Sequence, residues 1–168
     1  MSLAKQIQNW LITDNRSNII PSIDLQKQQI QNQQQQIIST TDTEQFIIEF
    51  LAAVSLEIPV FLTDPRWGAV EQQQFTDLIA QGTPRSGTIM IPTGGTSGQL
   101  KLAMHTSATL SAAVQGFQEF YKVAEINSHC LLPLHHVSGL MQLWRSITTN
   151  GHFTTNQVVP GSFISLVV

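Results

Sequence analysis

The sequence predicts an α/β protein built on a parallel sheet with helices on both faces. Two observations carry that prediction. Short apolar runs alternate with helix-length amphipathic stretches through most of the chain. The apolar runs also lack in–out alternation, as expected of strands covered on both faces. The chain has 168 residues, the length of one domain or of part of a larger one.

Residues 2–12 read as a short helix with Leu3, Ile7, Trp10 and Leu11 inward. The glutamine-rich stretch 26–36 is low in complexity and reads as a solvated loop or helix surface. Thr41 and Glu44 have capping-box spacing, so a helix should start there and run to about residue 57, apolar over most of its circumference and therefore buried. Pro59 introduces the strand VFL, which ends at Thr63-Asp64-Pro65. Residues 69–81 look helical, with Val70, Phe75, Leu78 and Ile79 inward; Gly82-Thr83-Pro84 breaks the chain. Residues 88–91 form the next strand. After a polar loop, residues 106–124 form a long helix with Leu110, Val114, Phe117 and Tyr121 one turn apart. A strand follows at 129–132, then a helix at 138–149 that Gly151 ends, and FISLVV reads as a last strand. There is no internal repeat.

Hydrophobic residues make up 42% of the chain and charged ones only 11%. That supports a core but is low in charge for a self-sufficient surface. The net charge of −3 offers no basic footprint for nucleic acid. The lone cysteine, Cys130, excludes an internal disulfide framework and fits a reducing compartment. No signal-like segment and no membrane-length apolar run occurs, so a cytoplasmic protein is expected.

Chemistry concentrates in two places. The first is Thr93-Gly94-Gly95-Thr96-Ser97-Gly98-Gln99-Leu100-Lys101, directly after a strand. Ligands in parallel sheets bind beyond the carboxyl ends of strands. Successive glycines let backbone N–H groups fold around an anion; Thr93, Thr96 and Ser97 add hydroxyl donors and Lys101 a point charge. The spacing is neither a Walker loop nor a dinucleotide fingerprint. A plain polar turn would use similar residues. The second place is Pro133-Leu134-His135-His136-Val137-Ser138-Gly139-Leu140. Zinc binding by His129, Cys130, His135 and His136 fits no standard spacing, and neighbours on a strand point to opposite faces, so no metal ligand is assigned. Cys130 sits in an apolar strand, where a thiol is usually inert packing.

Thr93 through Lys101 resembles the phosphate loop of the adenylate-forming superfamily, the AMP-forming acyl- and aryl-CoA ligases, and satisfies every position of that signature. On average composition a chain of this length would match about once in 10^4 tries. Pro133, Leu134, His136, Gly139 and Leu140 fall on the superfamily's Pro-Leu-x-His-x-x-Gly-Leu segment, in the right order and spacing, with His135 in the variable place. Residues 59–75 resemble a segment of o-succinylbenzoate–CoA ligases, with Pro65, Trp67 and Glu71 matching and Asp64 replacing an asparagine. The ending, 163–167, resembles a further strand of those enzymes. The resemblance covers about residues 59–167 and is thin over 1–58.

The resemblance implies the following. ATP and a carboxylate give an acyl-adenylate and pyrophosphate, and coenzyme A then displaces AMP. Thr93, Gly94, Gly95, Thr96, Ser97, Gly98 and Lys101 would hold the ATP phosphates; His136, Ser138 and Gly139 would line the acid pocket, with His136 as the catalytic candidate. The superfamily also uses a Tyr-Gly-x-Thr-Glu stretch for adenine and magnesium, a Thr-Gly-Asp aspartate for ribose, and a lysine on a mobile C-terminal domain. Neither motif occurs in these 168 residues. The expectation is a partial N-terminal domain, 1–168, without the C-terminal domain and inactive alone. Self-association, a complementing C-terminal chain, or a non-catalytic nucleotide- or partner-binding remnant are the other arrangements it leaves open.

Overall fold

A computed structural model describes residues 2–14, 16–82, 84–93 and 99–155. Helix α1 spans Leu3–Thr13, and a single 3-10 turn, Ser17–Ile19, leads into α2, Ile20–Ile30. Strand β1 (Gln36–Ile38), helix α3 (Thr43–Ser55), strand β2 (Val60–Leu62) and helix α4 (Ala69–Ile79) follow. Then come β3 (Thr88–Thr93), β4 (Lys101–Thr106), α5 (Ser107–Tyr121), β5 (Ser128–Cys130), α6 (Val137–Thr149) and β6 (Phe153–Thr155).

The strands form two sheets. The larger has the order β1-β2-β3-β4, the smaller pairs β5 with β6. β1, β2 and β3 are parallel, with Ile37 opposite Phe61 and Phe61 opposite Met90. β4 turns back antiparallel to β3 across six paired positions, and β5–β6 is parallel. The sheet is therefore mostly parallel rather than wholly so, because the polar loop after β3 closes a hairpin instead of leading straight into a helix.

Helices cover both faces of the larger sheet. Side chains alternate along β2. Val60 and Leu62 enter the main core with Ile47, Phe50 and Leu51 of α3. Phe61 points the other way, onto Phe75 of α4, with ring centroids 5.8 Å apart, and Trp67 closes that cluster 5.7 Å from Phe75. All three β2 residues are buried, which is why the strand is continuously apolar. One core joins the two sheets: Phe50 meets Trp144 of α6 edge-on at 6.0 Å, and buried Trp10 of α1 donates from Nε1 to the Gly151 carbonyl at 2.9 Å. Among the described residues no helix is long and apolar enough to cross a membrane.

Several expectations change. The glutamine-rich stretch does lie largely on the solvated surface of α2 and the turn after it, but its last residue, Gln36, opens β1. The cap of α3 is Asp42, whose Oδ1 accepts the Gln45 amide at 2.8 Å, so Thr41 and Glu44 do not form the box. Val70 is 66% exposed in the first turn of α4, and Tyr121 is exposed where α5 ends at left-handed Lys122. Asn150, not Gly151, takes the left-handed position after α6. Gly151 has a different duty: a Cβ there would stand 2.2 Å from the Ile126 carbonyl oxygen. The strand expected at 163–168 lies outside the described residues.

Candidate functional site

The parallel strands bring their carboxyl ends to one rim. β1 runs into Thr40–Thr43, β2 into Thr63-Asp64, and β3 into the loop that begins at Thr93. From the smaller sheet, β5 runs into 131–136. The two sets of ends meet because Asp64, after β2, lies against His135, after β5. A cavity of about 340 Å³ opens there, walled by Thr40–Thr43, Phe46, Arg66, residues 130–135 and Thr155. That volume is within the range of small-molecule sites.

The hairpin sets the geometry of the first candidate segment. Thr93 and Lys101 are paired across β3 and β4, and the Thr93 hydroxyl donates to the Lys101 carbonyl at 3.3 Å. The carboxamide oxygen of Gln74, on α4, accepts the Leu100 amide at 2.7 Å and anchors the returning limb. Thr93 and Lys101 are both exposed. Gly94, Gly95, Thr96, Ser97 and Gly98 lie outside the described residues.

The second segment is a tight turn into α6. The His136 amide donates to the Pro133 carbonyl at 3.1 Å, and His136 is the residue that precedes the first turn of the helix. Gly139 packs so closely that a Cβ would stand 2.2 Å from the Pro133 oxygen. That contact gives the glycine a packing role in addition to any ligand role. Ser138 is exposed. Among the described residues, no hydrogen bond or ion pair joins the hairpin ends to His136.

The sequence reading missed Asp64, Arg66 and His135 as a unit. Arg66 Nε donates to Asp64 Oδ1 at 3.0 Å and Arg66 Nη2 to Oδ2 at 2.8 Å, while the Arg66 amide also reaches Oδ1 at 2.9 Å. These bonds hold the Asp64 carboxyl well below the usual carboxylate range, against the opposing effect of burial, and raise the Arg66 pKa in turn. His135 Nε2 faces Asp64 Oδ2 at 3.4 Å without the geometry of a hydrogen bond. Burial pushes the His135 pKa down; Asp64 pulls the other way, and His136 and Arg66 add to the lowering. The His135 and His136 rings lie 4.6 Å apart. It is His135, from the variable place of the motif, that lines the cavity.

Of the four residues weighed for zinc, His129 and Cys130 are engaged elsewhere. His129 Nδ1 lies 2.8 Å from Thr154 Oγ1, and the Cys130 thiol donates to the Leu132 carbonyl at 3.2 Å. Burial raises the Cys130 pKa, which suits a packing thiol rather than a nucleophile. The only signal available for the Asp64 cluster was the departure from asparagine at 64.

Solved structures share this architecture. o-Succinylbenzoate CoA synthetase from Bacillus subtilis, in complex with the acyl-adenylate intermediate OSB-AMP, superposes with a TM-score of 0.61 at 14% identity, over 83% of this chain and 50% of that one. The fold is part of the adenylate-forming ligase fold. VinN, in complex with L-aspartate, gives 0.68 at 9% identity over 92% of this chain and 57% of its own. In sequence, the chain is 32% identical over 117 residues to a probable CoA ligase, CCL8, of Humulus lupulus, a match covering 62% of this chain and 19% of that protein. No protein-family profile matches. The chain thus spans about half the length of these two solved relatives and a fifth of the hop protein.

Proposed function

We propose that this chain is the phosphate- and acid-binding portion of a cytoplasmic AMP-forming acid–CoA ligase, with o-succinylbenzoate as the acid. The observation that carries the reading is the β3–β4 hairpin. Thr93, at the carboxyl end of a parallel strand, pairs with Lys101 across β3 and β4, which brings the two ends of the Thr93–Lys101 segment side by side, one bearing a hydroxyl and the other an ammonium. That is a chemistry suited to phosphate oxygens. Thr93, Gly94, Gly95, Thr96, Ser97 and Gly98 would cradle the β- and γ-phosphates while Lys101 neutralises charge that develops at the α-phosphorus. His136, Ser138 and Gly139 would border the acid, beside the rim cavity.

The donor set of the hairpin suits an anion, not a cation. On this reading magnesium would accompany the ATP phosphates and shield their charge, and its protein ligands would come from a segment other than the hairpin. Coenzyme A is the second substrate, taking the acyl group from AMP. The segments for adenine, ribose and the adenylating lysine would come from further chain, from a complementing subunit or from a second copy. The o-succinylbenzoate assignment is supported by residues 59–75, with Pro65, Trp67 and Glu71 in place.

Lysine acetylation read by mass spectrometry, with and without ATP, tests the phosphate site. ATP should protect Lys101 selectively, leaving Lys5, Lys27 and Lys122 equally labelled. Equal labelling of Lys101 in both samples overturns the assignment. The chain alone should give no ATP–pyrophosphate exchange with o-succinylbenzoate; clear turnover would show that the 168 residues suffice.

A further inference from the structure

We infer that Asp64, His135 and His136 form a site for one divalent transition-metal cation of the zinc class. One ligand atom from each of the three lies within 4.8 Å of the other two. In a tetrahedral site with bonds of about 2.1 Å the ligand atoms lie about 3.4 Å apart, so the widest pair must close by up to about 1.4 Å, which rotation of the His136 and Asp64 side chains supplies. Two imidazole nitrogens and one carboxylate oxygen suit zinc and its first-row neighbours, whereas magnesium and calcium favour oxygen-only sets. Three protein ligands leave a position for water or an anion facing the rim.

A second observation points the same way. The His135 side chain is only 4% exposed, and its Nε2 has no hydrogen-bond partner although it faces Asp64 Oδ2. Buried polar atoms are nearly always partnered, and one that is not calls for an explanation. A metal ion on that lone pair provides one. His136, next in the chain, brings its ring alongside.

Arg66 is the competitor. It now occupies both oxygens of Asp64, but its side chain is 69% exposed and can swing into solvent without leaving a buried gap. The ion would take over neutralisation of the carboxylate. Metal and guanidinium therefore exclude one another at Oδ2, and Arg66 weakens the site that it borders.

The test uses the untagged 168-residue chain, titrated with Zn²⁺ by calorimetry and with Co²⁺ by its ligand-field absorption. One ion per chain is expected. Asp64→Asn and His136→Ala should each weaken binding roughly ten-fold or more, and Arg66→Gln should tighten it. His129→Ala, on β5 outside the cluster, should change nothing. Because His135 is buried and its replacement can unfold the turn, His136→Ala carries the test, with far-ultraviolet circular dichroism verifying the fold. Wild-type affinity in His136→Ala, or no Zn²⁺ uptake by the wild-type chain, overturns the inference. ATP protection of Lys101 is read separately, so failure of either result leaves the other standing.

Discussion

The two sheets deliver different chemistry to the same rim. From the four-stranded sheet comes the segment Thr93–Lys101, whose hydroxyls, glycines and lysine lie within nine residues and whose two ends pair across β3 and β4. The two-stranded sheet ends in His135 and His136, whose chemistry depends on Asp64 and Arg66 from the other sheet. A loop that meets an anion with its own backbone can be written locally. A buried charge must be completed by whatever the fold packs against it. On the two proposals, the phosphate segment is written within nine residues, whereas the Asp64–His135 cluster is made only by tertiary convergence, so the joint between the sheets determines whether that cluster exists.

The joint is the first thing to break. Phe50 is fully buried, stacked on Phe46 at 5.8 Å and edge-on to Trp144 at 6.0 Å. Phe50→Ala should cost about 3–5 kcal/mol, the usual penalty for an emptied aromatic site. With one shared core, tryptophan fluorescence and circular dichroism should follow a single, coincident urea transition at lower midpoint. Two separated transitions would mean that the sheets fold independently and that the rim is a contact between units.

The same distinction explains what the sequence made legible. Strands β2 and β3 and helices α3, α4 and α6 were visible because each is a strong run of one hydrophobic period. Strands β1 and β6 were not: β1 emerges from a glutamine tract, and β6, Phe153–Thr155, has a single apolar side chain. β4 was hidden because its three apolar residues, Leu102, Ala103 and Met104, are consecutive rather than alternating, and its pairing with β3 is a tertiary fact. In the candidate site, the Thr93–Lys101 segment could be singled out from local spacing, but the pairing of its two ends could not. Asp64–His135 was not, because 71 positions in sequence separate the partners and neither residue by itself indicates the other.

Gly139 sharpens the comparison, since it supports one site and not the other. Its missing side chain lets α6 start against the Pro133 carbonyl, which also accepts the His136 amide. In Gly139→Ala the new methyl meets backbone, which cannot rotate away, so the 132–136 turn must shift. A loss of about 1–3 kcal/mol is expected, the range for overpacking. Zn²⁺ affinity should fall with it while ATP protection of Lys101 persists. Equal loss of both would show that the two ends of the rim are mechanically coupled.

The smallest effect is expected at Asp42, which lies in the cavity wall but on the side of the larger sheet. Its carboxylate caps α3 by accepting from the Gln45 amide, and its own amide donates to Thr40 Oγ1 at 3.0 Å. Asp42→Ala should cost about 1 kcal/mol, the typical value of a lost cap, measured as a shift in urea midpoint at unchanged slope. Neither Zn²⁺ affinity nor Lys101 protection should follow, because the cap carries no ligand in either site and the α3 core holds the helix in place. A change in Zn²⁺ affinity without a change in stability would reverse that reading. It would mean that Asp42 acts on the ion across the cavity, and that the two sheets share one binding site instead of bordering two.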